Sequence, residues 1–149
     1  MHIKKIATWI IILFAVVVIA LFAIINVAGE LLPSKKIAQR VYDADCDSLK
    51  NVVQYLSKFD TDWLITAEKP YGDTIDDNNV IEALDQLFES GYLEIGKQGH
   101  TIYFLRWTRW KDFGAGLAYT IHREHNPKVD YIVNFERLSQ DQWYYYETE

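Results

Sequence analysis

The chain has 149 residues, half of them hydrophobic, with 15 basic against 21 acidic residues and a formal net charge of −6. That balance repels phosphate backbones and anionic head groups, so nucleic acid and acidic lipid surfaces are poor partners. Cys46 is the only cysteine, which excludes an intrachain disulfide framework.

The first element is an uncharged apolar run, Ile6 to Val27. Its length suits a helix crossing a hydrocarbon core of about 30 Å. Trp9 lies near one end, Lys4 and Lys5 flank it on one side, and Lys35 and Lys36 follow on the other. A cleaved signal peptide needs a shorter apolar core, and Val27-Ala28-Gly29 is the only passable cleavage site. A buried helix of a soluble domain would show a polar face, which is missing here. The run therefore reads as a single-pass anchor, transmembrane over about residues 6–27 within an anchor region 1–33. It contacts membrane lipid, with the N-terminus inside and the following domain extracytoplasmic. That domain occupies residues 34–149. The residues after the run hold 13 basic and all 21 acidic residues, a net charge of −8. About 120 residues suffice for one core.

Pro33-Ser34 ends the anchor, and Lys35 to Tyr42 fits a short helix. Asp43, Asp45 and Asp47 then offer N-caps to a second helix with Leu49, Val52, Val53, Leu56 and Phe59 on one face. The same three acids resemble the start of a calcium loop. Ser48 and Gln54 stand where that loop needs Gly and Glu, so capping is the better account. Asp60 to Thr74 reads as irregular, with Trp63, Leu64 and Ile65 plugging the core edge and Pro70-Tyr-Gly72 turning. The next helix is the best signalled. Asp76 or Asp77 caps it, Val80, Ile81, Leu84, Leu87 and Phe88 line one face, and Gly91 stops it. Asp73, Asp76 and Asp77 need no other explanation.

From Tyr92 the pattern changes to strands. Tyr92 to Ile95 leads through a Gly96–Gly99 turn into Thr101 to Arg109. Gly114-Ala-Gly116 precedes LAYTIHRE, Asn126-Pro127 turns into VDYIVNFERL, and Ser139-Gln-Asp141 turns into WYYYE. The expected class is α+β: a helical half, 34–91, with two or three helices packed on one face of an antiparallel meander of about five strands, 92–149.

No nucleophile elbow, phosphate loop or dinucleotide fingerprint is present, and no cofactor or metal is expected. His122-Arg-Glu-His125 is the sharpest cluster of ligand types, with His100 a possible addition. Residues three apart on a strand face opposite sides, so these would converge only if the strand ended inside the cluster. A small metal-dependent or acid/base hydrolase on His122, Glu124 and His125 is the rival reading. A helix stopped at Gly91 and followed by a hairpin looks like half of a winged helix, with Arg106, Arg109 and Lys111 near Trp107 and Trp110, but the acidic charge opposes it.

The aromatic load of the strand half carries the main functional reading. Trp143 and Tyr145 point one way and Tyr144 and Tyr146 the other, so both sheet faces carry rings. The expected function is non-enzymatic: a membrane-anchored domain binding a protein partner or an envelope polymer through its sheet, with Trp107, Trp110, Trp143 and Tyr145 as the contact rings. A third possibility is a membrane-complex subunit docking through the apolar helix, although Ala15 and Ala23 are scattered among bulky neighbours.

Overall fold

The computed structural model describes residues 16–18, 20, 33–68, 71–109 and 113–149. The chain divides into two compact units, Met1–Leu32 and Pro33–Glu149. In the first, Val16, Val17, Val18 and Ala20 are helical. The rest of the apolar run, and with it the expected anchor, lies outside the described residues. Among the described residues no helix is long and apolar enough to cross a membrane.

The second unit is an α+β fold. Helix α1, Lys35–Leu56, begins where the Ser34 hydroxyl accepts a hydrogen bond from the Ile37 N–H at 3.4 Å. The break expected at Asp43–Asp47 is absent. Ala38, Tyr42, Leu49, Val52, Val53 and Leu56 form one buried stripe running through the acids. Its continuity outweighs the local capping preference of aspartate, which costs a helix interior only about 0.7 kcal/mol or less per residue. The three acids are accordingly spread around a helix rather than gathered in a loop. Asp43 accepts from Gln39 Nε2 at 2.9 Å, and Asp45 faces Arg106 at 3.5 Å.

Residues Trp63–Thr66, expected to be irregular, form strand β1. A short 3-10 turn, Tyr71–Asp73, leads to helix α2, Asn78–Glu89. Its cap is Asp77, whose carboxylate accepts from the Asn79 N–H at 3.0 Å. At the other end Gly91 takes φ +99°. The Tyr92 N–H reaches back to the Leu87 carbonyl and the Gly91 N–H to that of Phe88, a Schellman closure that glycine makes cheap.

Strands β2 (Glu94–Gln98), β3 (Thr101–Arg109), β4 (Phe113–Thr120), β5 (Ile132–Arg137) and β6 (Trp143–Thr148) complete a six-stranded sheet. Every neighbouring pair is antiparallel. The order is β1-β2-β3-β4-β6-β5, so the expected meander holds only as far as β4. Strand β6 inserts between β4 and β5. The first hairpin turns at Gly99-His100, and Gly96 lies within β2. Likewise Gly114 and Gly116 lie within β4, and that strand stops at Thr120, before the histidines.

Both helices cover one face. Ile65, Ile95, Ile102, Phe104, Leu117, Trp143 and Tyr145 from the sheet join Leu49, Leu56, Leu84 and Leu87 in the main core. A register shift between Leu105 and Trp107 makes Arg106 the extra residue of a bulge. Arg106 then faces α1, stacked over Tyr92 at 4.8 Å and ion-paired with Asp45. Ala118, Tyr144 and Tyr146 form a second, smaller core on the opposite face, packed with Tyr103 and Ile132.

Candidate functional site

Two of the four rings expected to form a contact surface, Trp143 and Tyr145, are buried. Trp143 is 3% exposed and Tyr145 1%. Trp143 packs on Tyr42, Tyr119 and Phe104 with ring centroids at 4.8, 5.2 and 5.8 Å. The Tyr145 hydroxyl donates to Glu147 Oε1 at 2.7 Å. Trp107 is half-buried against the same core, and Trp110 lies outside the described residues. Alternation separated the two faces correctly. Nothing within a strand says which face the helices will cover.

The open face carries a groove of about 560 Å³. Tyr103 and Tyr146 floor it, with Leu64, Leu105 and Phe113 as its apolar walls. The ring of Tyr103 lies across Gly96, where a Cβ would run into it, so only glycine leaves room for this floor. The Tyr103 hydroxyl donates to Glu94 Oε1 at 2.9 Å. Burial, reinforced by Glu94, pushes the Tyr103 phenol well up, and burial does the same to Tyr146. Both remain neutral through the physiological range.

Four carboxylates border the groove: Asp62, Glu94, Asp130 and Glu149. Lys97 also lines it, but this side chain is 3% exposed and its ammonium donates to the Thr61 carbonyl at 3.4 Å. The lip is the end of the β4–β5 connection. Asp130 and Gln98 are joined by two hydrogen bonds, the Asp130 N–H to Gln98 Oε1 at 2.8 Å and Gln98 Nε2 to Asp130 Oδ2 at 2.7 Å. Next to this clamp, Tyr131 takes φ +77° while its side chain is 78% exposed. A bulky residue in the left-handed region is uncommon and costs of order 1 kcal/mol or more. Among the described residues the other such non-glycine residue is Gln142, whose Nε2 donates to the Thr120 and Ile121 carbonyls. Tyr131 holds its angle inside a turn closed by the Ile132 N–H to the Val129 carbonyl at 3.2 Å, and its own carbonyl accepts from the Glu149 N–H at 3.3 Å, which leaves the ring facing solvent at the mouth of the groove.

The histidines do converge, because β4 ends before them. His122 and His125 sit on one turn, closed by the His125 N–H to the His122 carbonyl at 3.1 Å. His100, at the β2–β3 tip, is tied alongside through its carbonyl to the Ile121 N–H at 2.9 Å. The ring centroids are 4.5 Å (His100–His122), 5.9 Å (His100–His125) and 5.6 Å (His122–His125) apart. All three are exposed, as is Glu124. With the side chains as placed, no group of three or more His, Cys, Asp or Glu among the described residues could hold a metal ion.

No protein-family model matches the chain, and neither a curated protein nor a solved structure matches it.

Proposed function

We propose that the chain is a membrane-anchored binding protein, held by its apolar N-terminal run, whose domain takes an extended, cationic segment of a protein partner in the groove on the open sheet face. The observation that carries this reading is the pairing of an aromatic floor with four bordering carboxylates whose nearby lysine is engaged elsewhere. Tyrosine faces suit the stems and cations of lysine and arginine side chains, and the carboxylates supply the complementary charge. Tyr131 is the recognition ring, held at the lip by the Asp130–Gln98 clamp. Residues 6–27 place the domain at the membrane, and the domain lies outside the cytoplasm.

The test is titration of the full chain in detergent micelles with short peptides alternating lysine and apolar residues, against glutamate counterparts. Basic peptides bind saturably, more weakly as salt rises, and less well to Glu94→Gln. Tyr131→Gly separates binding from folding: it relieves the left-handed strain, so the domain gains about 0.5–1 kcal/mol while peptide affinity falls. Equal binding of acidic peptides, or full affinity in both variants, would refute the reading.

A further inference from the structure

We propose that His100, His122 and His125 form a binding site for a transition-metal dication, with Zn²⁺ as the reference ion. The three histidines lie outside the groove, although Asp130 borders both sites. Its first support is how the rings are brought together. Two lie on one hydrogen-bonded turn and the third on a separate hairpin, and a backbone hydrogen bond joins the two pieces. The Lys128 N–H bonded to Thr101 Oγ1 at 2.9 Å fastens them again further along. Three imidazoles are thus held side by side at the surface, where no core packing demands it.

The second support is the spacing. Three imidazoles that each give one nitrogen to a tetrahedral zinc ion stand about 5 Å apart, centroid to centroid. The observed separations of 4.5, 5.6 and 5.9 Å bracket that arrangement. The rings as placed do not hold a metal, so binding includes rotation of the three exposed rings about their own side-chain bonds to turn one nitrogen of each toward a common point. Neutral imidazole suits zinc, copper and nickel and suits calcium or magnesium poorly. The fourth position opens toward a cavity of about 600 Å³ that His100 and His125 line together with Glu124, Lys128 and Asp130. Water or the Glu124 carboxylate completes the shell. Among the described residues that line the cavity the cation is Lys128, and Glu124 and Asp130 offset it.

The experiment is titration of the metal-free full chain with Zn²⁺ in competition with a chromophoric chelator. One ion binds per chain, and affinity falls by about tenfold or more in each of His100→Ala, His122→Ala and His125→Ala. His2→Ala leaves it unchanged, which separates the cluster from the chain's remaining histidine. Binding weakens at acid pH, because imidazoles must be neutral to ligate. Circular dichroism of the metal-free variants matches the parent, since all three side chains are exposed. A triple His→Ala variant that binds Zn²⁺ as well as the parent would overturn the proposal, and so would a parent that binds no ion at one-to-one stoichiometry.

Discussion

Replacing Trp143 with alanine separates the core role of this ring from the contact role that its residue type invites. The indole is 3% exposed and packs on three rings, Tyr42, Phe104 and Tyr119. Emptying such a site costs the lost transfer free energy and leaves a cavity that the surrounding α1 and sheet side chains only partly fill. Large aromatic-to-alanine changes in cores cost about 3–5 kcal/mol. Each lost ring pair contributes about 0.5–1.5 kcal/mol beyond area burial. Against a domain stability of about 5–15 kcal/mol, the variant is severely weakened or unfolded. Trp143→Phe retains most of the volume and loses less, so the two substitutions form a graded pair. Urea unfolding of the full chain in mild detergent, followed by far-ultraviolet circular dichroism, reads both without relying on the removed fluorophore. A loss below about 0.5 kcal/mol for the alanine variant, typical of surface positions, would refute the placement of this ring under α1.

Asp45→Ala leaves Arg106, only partly exposed and stacked on Tyr92, without its ion partner. It lowers stability by about 1–2 kcal/mol, whereas Asp141→Ala, which removes well-exposed pairs with Arg123 and Arg137, costs less than about 1 kcal/mol in the same unfolding assay. The Tyr71 phenol, pushed up to about 12 by burial and by its hydrogen bond to Asp85, holds its proton in the folded state where an unfolded tyrosine loses it. Stability therefore falls as pH rises from about 10 through 12, and Tyr71→Phe flattens part of that slope when unfolding is measured across this window.

The parts of the fold written in local chemistry were legible in the sequence. Helix α2 was readable because its cap, stripe and glycine stop all lie within about four turns of chain. Helix α1 was read as two pieces because aspartates that cap well in isolation stood inside a stripe whose continuity depends on tertiary burial. Strand β1 has four residues and exists through pairing with β2, so Trp63–Thr66 carries no periodicity of its own. The aromatic alternation in β6 was correct, yet two of the four expected contact rings fall on the covered face. Trp143 and Tyr145 lie under the helices, while Tyr103, Tyr144 and Tyr146 pack on the open side. Tyr131 could not have been singled out, since its significance rests on a backbone angle. The histidine cluster was visible as composition, but its convergence depended on β4 stopping at Thr120.

One topological fact generates both candidate sites. Had β5 followed β4 as its neighbour, a tight hairpin would have joined them. Because β6 occupies the position between them, the chain must travel from Thr120 to Ile132 past an intervening strand. A segment of that length needs fastening. It is held at Thr101 through Lys128 and at Gln98 through Asp130, both residues beside the β2–β3 tip. The near end of the segment accordingly sets His122 and His125 against His100. The far end sets Asp130 and Tyr131 at the lip of the tyrosine-floored groove. Both sites therefore combine side chains of this surface connection with side chains of the sheet or its β2–β3 tip. Such segments can vary in sequence without disturbing the core beneath them.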